Sequence, residues 1–282
     1  MIENLWYIFM SKHHIYRPVE NFSTIIVDDF FDDPDSLVAY GKSLPKKPAP
    51  NGFWPGVRSE FLWRIDDELH TTILAKILSC YFNLDNREVT WKHSQMYFQE
   101  MPRFSDNKND VKNKGWIHRD DKNGSIYSYP DMEESFDLAG LIYLTPKIDP
   151  DSGTSLFKLK DDIAESGINL TDISDQKQMN IQYMKQNSLE CNKLDEQELN
   201  KQWNLSQDLF IETTRIQNIF NRAIMYDTAE WHKANSYYNA DGEDARFNLV
   251  FFIGGLSEIA LHRTRNTNYD SVIKRRCVSI RN

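Results

Sequence analysis

Cysteine is scarce. The three present, Cys80, Cys191 and Cys277, are odd in number and far apart, which gives no basis for a disulfide framework. No CxxC pair occurs, so a cysteine-built zinc knuckle is not supported either, and a reducing cytoplasm is the expected compartment. No stretch approaches the ~18–20 consecutive apolar residues that a membrane-spanning helix requires. The segment from Met1 to Trp6 lacks the basic start and apolar run of a secretory leader. Ten prolines and eleven glycines are too few for collagen-like or low-complexity architecture. Positive charge is also in deficit: 33 Lys and Arg against 42 Asp and Glu leave a formal charge of −9. A negative body is repelled by phosphate backbones, which argues against nucleic acid as the main partner.

Aromatic residues, by contrast, are plentiful. Sixteen Phe, thirteen Tyr and seven Trp among 282 residues supply enough apolar surface for a real core and argue against disorder. Ser23 to Phe31 is β-branched and aromatic and reads as a strand. Asp33 and Pro34 then form a start signal for a short helix over Ser36 to Leu44, stopped before Pro45. Residues 48–56 form a Pro/Gly-rich loop. From Asp66 to Phe82 the apolar residues Leu69, Ile73, Leu74, Ile77, Leu78 and Tyr81 recur at helical spacing. Beyond Val89 the period becomes two. Trp91 to Phe98, Ala139 to Leu144, Thr154 to Leu159, Ala223 to Tyr226 and Arg246 to Ile253 read as short strands, the pattern of an antiparallel sandwich or barrel. Residues 160–215 are polar and partly helical and read as an insertion in one sheet connection. The expected organisation is therefore a single domain, mainly β with flanking helices (α+β). It has a supporting segment over 1–88, a β core over 89–255 and a tail over 256–282.

The Gly115-Trp116-Ile117-His118-Arg119-Asp120-Asp121 segment contains an HxD triplet. In extended backbone, residues i and i+2 share a face, so His118 and Asp120 can chelate one ion. A distant histidine completes a two-histidine, one-carboxylate set that leaves coordination positions open, and His232, just beyond the Ala223 to Tyr226 run, is the natural third ligand. A surface histidine beside solvated aspartates is the alternative. Arg246 opens an apolar strand, Arg246-Phe247-Asn248-Leu249-Val250-Phe251-Phe252, with Asn248 on the same face. A planar guanidinium at that place suits bidentate capture of a carboxylate. The competing explanation is an ion pair with a core Asp or Glu.

The ordered set of HxD, Tyr143-Leu144-Thr145 followed by Ser152-Gly153-Thr154, Asn221-Arg222, His232 and Arg246 resembles the Fe(II)/2-oxoglutarate-dependent dioxygenases, in particular the prolyl-hydroxylase-like members. More closely, Trp54-Pro55-Gly56-Val57-Arg58, Ile117 to Asp121, Ser152 to Ser155, Asn221-Arg222 and Val27 to Pro34 resemble the uncharacterised DUF6445 subgroup. The similarity runs from about residue 24 to 255, with 160–215 poorly matched.

The resemblance implies a double-stranded β-helix, that is, a cupin-like jelly roll. It implies Fe(II), 2-oxoglutarate and O2 as the cofactor set and hydroxylation of a C–H bond with release of succinate and CO2. His118, Asp120 and His232 are then the metal ligands. Arg246 and Tyr143 hold the distal carboxylate of 2-oxoglutarate, and Tyr97 and Asn248 are further cosubstrate contacts. For Tyr97 and Tyr143 the alternative is a core tyrosine with a satisfied hydroxyl. Phe252 replaces the arginine that closes the corresponding strand of AlkB-like nucleic-acid dealkylases, and with the negative charge this counts against that reading. Halogenase relatives replace the metal carboxylate with a small residue; Asp120 is retained, which favours hydroxylation. A non-catalytic jelly-roll binding module is the other alternative. The primary substrate is left open among amino acid, peptide and metabolite. The 100–115 loop and the 160–215 segment are expected to act as lids over it. The basic tail with Lys274, Arg275 and Arg276 reads as a solvated surface.

Overall fold

The computed structural model describes residues 16–18, 22–48, 54–84, 87–120, 136–165, 196–239 and 245–260. In chain order the strands are β1 (Tyr16–Pro18), β2 (Ile25–Val27), β3 (Lys46–Pro48), β4 (Val57–Ser59), β5 (Arg87–Thr90), β6 (His93–Met101) and β7 (Leu138–Tyr143). They continue with β8 (Thr154–Leu159), β9 (Phe210–Ile216), β10 (Ala223–Asp227), β11 (Trp231–Ala234), β12 (Arg246–Gly254) and β13 (Ser257–Ala260). The helices are α1 (Pro34–Ser43), α2 (Leu62–Ile65), α3 (Asp67–Ser79), α4 (Asp161–Glu165) and α5 (Glu196–Asp208). Among the described residues no helix is long and apolar enough to cross a membrane.

Both long helices of the first third start at an aspartate cap, of which the sequence reading assigns the first. Asp33 accepts from the Ser36 amide at 3.1 Å with Pro34 at the first helical position, and Asp66 accepts from the Leu69 amide at 3.0 Å. The apolar stripe of α3, Ile73, Leu74, Ile77 and Leu78, is buried, as its spacing predicts.

A seven-stranded antiparallel sheet, ordered β2-β10-β7-β12-β6-β4-β3, forms the larger layer. β12 is at its centre, paired from Arg246↔Met101 to Gly254↔His93 with β6 and from Asn248↔Tyr143 to Ile253↔Leu138 with β7. Strand alternation sorts the two faces. Phe247, Leu249, Phe251 and Ile253, with Met96, Phe98, Leu138, Ile142, Ala223 and Met225, pack against Leu37 and Val38 of α1 and the stripe of α3. Ala139, Tyr143, Ile224 and Tyr226 face the other way and pack on Leu156 and Ile216 of a three-stranded sheet ordered β11-β8-β9. By the same alternation Arg246, Asn248, Tyr97 and Gln99 share this second face. A third sheet, β1-β13-β5, joins the two ends of the described chain.

Three expectations are corrected. The Ser23 to Phe31 run is a strand only over β2; at Asp29 the chain turns with φ +49°, and the Phe30 amide bonds to the Asn221 carbonyl at 2.9 Å instead of continuing a ladder. The 160–215 segment is not wholly an insertion, because its end is β9, which pairs along β8 with a bulge at Leu156/Phe157. β9 lies at a sheet edge and exposes five successive residues, Ile211 to Arg215, so it has no alternation to read. The tail beyond 255 begins with β13, held between β1 and β5. The basic cluster at 274–276 lies outside the described residues.

Candidate functional site

His118, Asp120 and His232 come together across a single backbone bridge. The His118 amide donates to the His232 carbonyl and the His232 amide to the His118 carbonyl, both at 2.9 Å, and the Asp120 amide donates to the Thr228 carbonyl at 2.9 Å. Gly115 begins this run, bonding to the Ala234 carbonyl at 2.9 Å; a Cβ there would meet that same oxygen at 2.5 Å. The HxD segment is thus not a regular strand, but it is extended enough to direct residues i and i+2 to one side.

Asp120 Oδ2 is 3.2 Å from His232 Nε2, and Asp120 Oδ1 is 3.9 Å from His118 Nε2. One ligand atom from each of the three residues lies within 4.8 Å of the others. Both imidazoles turn Nδ1 toward a backbone carbonyl, His118 to Trp116 at 2.8 Å and His232 to Glu230 at 2.9 Å. A carbonyl only accepts, so Nδ1 carries the proton and Nε2 presents its lone pair to the shared space. This is the second-layer arrangement that prepares imidazole for a metal. Two nitrogen lone pairs and a carboxylate converging at this range repel unless a cation sits among them, so the donor set fits a divalent ion. His232 is buried, whereas the His118 side chain is 33% exposed, which leaves one side of the cluster open.

Arg246 is only 1% exposed. Its Nη1 donates to the Ser236 carbonyl at 3.2 Å, and its Nε has no partner among the described residues. No carboxylate pairs with it among those residues either, so the core ion pair weighed from the sequence does not form. A buried guanidinium without a counterion is costly by several kcal/mol, which makes this position a receptor for an anion. The Tyr143 ring lies 5.6 Å from the guanidinium carbon, and its hydroxyl donates to Thr154 Oγ1 at 2.8 Å. Burial pushes the Tyr143 phenol up, with Arg246 opposing that rise. Asn248 is fully buried with neither amide atom bonded among the described residues. Tyr97, also buried, packs against Phe61 and Phe252 and lies 4.3 Å beneath the Arg58 guanidinium.

Tyr226 is the central residue that the sequence reading missed. Its ring is 4.7 Å from that of His232. Its hydroxyl is held well above the ordinary tyrosine value by burial first and then by the charge of Asp120, with Tyr143, Arg246 and Tyr97 also felt. Tyr226, Tyr143, Asn248, Arg246 and Tyr97 thus share one face of the larger sheet. The signal was present in strand alternation, since Tyr226 follows Ile224 on the inner face of β10.

The surrounding loops are tied down. Asn113, fully buried, accepts from the amides of Phe104 and Ser105 at 2.8 and 3.2 Å and donates to the carbonyls of Ser105 and Asn107 at 2.8 and 2.9 Å. This pins the 100–115 loop. Trp203 of α5 donates to the Gly115 carbonyl at 3.4 Å, just before the His118 to Asp120 run. On the outer face of β11, Lys233 contacts Gln207 and lies over Trp203, and burial lowers its pKa to about 8. Asn221 and Arg222 brace the frame. Asn221, at φ +63°, bonds to the Phe31 backbone through its side chain, and Arg222 forms a two-bond pair with Asp28 at 2.5 and 2.9 Å.

A family model described as a family of unknown function, DUF6445, matches residues 11–253. No curated protein matches the chain. Solved structures with a similar chain path include HygX from Streptomyces hygroscopicus with nickel and 2-oxoglutarate bound (10% identity, 91% of this chain and 86% of that chain, TM-score 0.44). A prolyl hydroxylase from Trichoplax adhaerens in complex with a hypoxia inducible factor peptide is 11% identical over 82% of this chain and 83% of that chain, with a TM-score of 0.41. The carbocyclase SnoK from nogalamycin biosynthesis is 11% identical over 89% of this chain and 85% of that chain, with a TM-score of 0.43. The chemistry is therefore read from the residues themselves.

Proposed function

The chain belongs to the DUF6445 family, whose function is unknown, and we propose that it is an Fe(II)- and 2-oxoglutarate-dependent oxygenase that hydroxylates a C–H bond. The observation that carries this reading is the pairing of a two-histidine, one-carboxylate cluster with a buried arginine that has no carboxylate partner among the described residues. The two facing sheets then correspond to a double-stranded β-helix with the cluster between them. A single domain in a reducing cytoplasm is part of the same reading.

Fe(II) held by His118, Asp120 and His232, with 2-oxoglutarate and O2, supplies oxidation of an unactivated C–H bond with release of succinate and CO2. The residues of the chain bind, orient and shield. The carbonyls of Trp116 and Glu230 fix both imidazoles, so the ligand atoms need little rearrangement on binding a metal. Arg246 takes the distal carboxylate of 2-oxoglutarate through its in-plane donors, the group its buried charge lacks. Tyr143, oriented by Thr154, offers its hydroxyl beside Arg246, and the open Asn248 amide supplies a further polar contact. Tyr97 and Tyr226 wall the space with rings and exclude water.

Phe252 packs on Phe136 and Tyr97 at 5.3 and 6.4 Å. An apolar contact thus fills the place where a nucleic-acid dealkylase carries its closing arginine. Anaerobic titration with Fe(II) and then 2-oxoglutarate tests the proposal. The weak metal-to-ligand charge-transfer band should develop in the native chain and be lost in Asp120→Ala. Absence of the band in the native chain refutes the proposal and leaves a binding module. Succinate release against a panel of amino acids, peptides and metabolites then identifies the substrate.

A further inference from the structure

The Trp54-Pro55-Gly56-Val57-Arg58 run has no part in holding metal or 2-oxoglutarate, yet its residues together place one side chain. Arg58 on β4 lies opposite Gln99, Gln99 opposite Asn248, and Asn248 opposite Tyr143. These four residues form one polar row across the larger sheet, on the face that carries Arg246, and Lys47 of the edge strand β3 continues it beyond Arg58. The Pro55 carbonyl accepts from Gln99 Nε2 at 2.9 Å and fixes the turn to the row. Gly56 has φ +71°, and a Cβ there would stand 2.0 Å from the Glu100 carbonyl oxygen, so only glycine permits this approach. The turn brings Trp54 over β6, where its ring lies 4.2 Å from the Arg58 guanidinium carbon; the Tyr97 ring lies 4.3 Å from the same atom.

A guanidinium held by two rings is fixed in orientation and donates hydrogen bonds only in its own plane. Beside it the buried Trp54 Nε1 donor has no partner among the described residues. The clamp lies on the sheet face that carries Arg246 and Tyr226, and on that face Tyr226 packs on His232. It also leads outward: Phe61 lies 6.0 Å from Tyr97 and stacks on Trp63, which is 41% exposed.

We propose that Arg58 anchors the primary substrate, and that this substrate is a carboxylic acid whose carboxylate lies in the plane of the Arg58 guanidinium while its apolar part rests on Phe61 and Trp63. The assignment rests on the reading that Arg246 serves the cosubstrate. In-plane donors pair with a planar carboxylate through two parallel hydrogen bonds.

Calorimetric titration of the full chain with phenylacetate, phenylacetamide and benzylphosphonate tests this. The acid is expected to bind at least ~10-fold more tightly than the amide or the phosphonate. Arg58→Gln should abolish that preference, and Arg58→Lys should weaken it by keeping charge without the fork. Thermal unfolding of each variant verifies folding, and Arg58→Lys is the deciding variant if Arg58→Gln does not fold. The proposal is overturned by absence of saturable phenylacetate binding, by equal binding of the amide, or by tighter binding of the phosphonate. It is equally overturned by a preference that survives both Arg58 variants. A parallel titration with Mn(II) and 2-oxoglutarate keeps the two readings apart. Failure of 2-oxoglutarate to bind the native chain sinks the oxygenase reading, while the phenylacetate series still decides the role of Arg58.

Discussion

At the scale of single residues, two kinds of unsatisfied chemistry define this protein. Asp120 and the Nε2 atoms of His118 and His232 converge, and Arg246 is buried without a carboxylate partner among the described residues. Removing a ligand should exceed the ~10–100-fold loss in metal affinity typical of outer-layer partners. Asp120→Ala and His232→Ala should therefore abolish Fe(II) binding measured by anaerobic calorimetry while circular dichroism is unchanged. Arg246→Leu should leave metal affinity intact but weaken 2-oxoglutarate by roughly 10- to 150-fold, the equivalent of a charged hydrogen bond worth ~1.5–3 kcal/mol. An unaltered 2-oxoglutarate affinity would remove Arg246 from the cosubstrate site. The ligands and Arg246 were legible because their residue types are rare in the places they occupy. Tyr226 was not, because an inward tyrosine on an apolar strand looks the same whether it fills a core or lines a site.

Among the elements, local signals and tertiary demands agree for the helices and diverge at the sheet edges. Asp66 caps α3, and Asp66→Ala should lower stability by about 1 kcal/mol in a urea-unfolding experiment. Ile77 lies on the buried stripe of α3 beneath the central strands, so Ile77→Ala should lower stability by about 2–5 kcal/mol in the same assay. Strands β7, β8, β10 and β12 could be read from alternation because each has a buried face in a fixed register. β9 could not, since a solvated edge tolerates polar residues at successive positions. The HxD run was expected to be a strand and is instead one bridge, because only the His118 to His232 pairing is made.

Across the whole molecule, burial of titratable groups links stability to pH. His70 sits in the helix–sheet core, 2.9 Å from Ser94 Oγ, and burial lowers its pKa to about 4 from an ordinary value of 6.5. The folded form therefore stays neutral where the unfolded chain takes up a proton. Its contribution is fully present above pH 6.5 and is lost as pH falls toward 4, on the order of 3 kcal/mol in all. Urea midpoints at about pH 7 and about pH 4.5 should differ more for the native chain than for His70→Gln; equal differences would show that His70 does not drive the acid sensitivity. The net charge of −9 acts at the same scale. Single-stranded DNA should show no retention at physiological salt in a gel-shift assay, and tight binding would revive the dealkylase alternative.

Sequence alone determined the mainly β class, the helices of the first third and the candidate groups for chemistry, because residue type and short-range periodicity act within a few positions. Only the tertiary structure decided that residues 118 and 232 share a bridge, that Arg246 goes without a carboxylate partner among the described residues, and that Arg58 is clamped in one row with Asn248. Those facts arise from strand register, and register is set by packing between segments far apart in the chain, where no local pattern reaches.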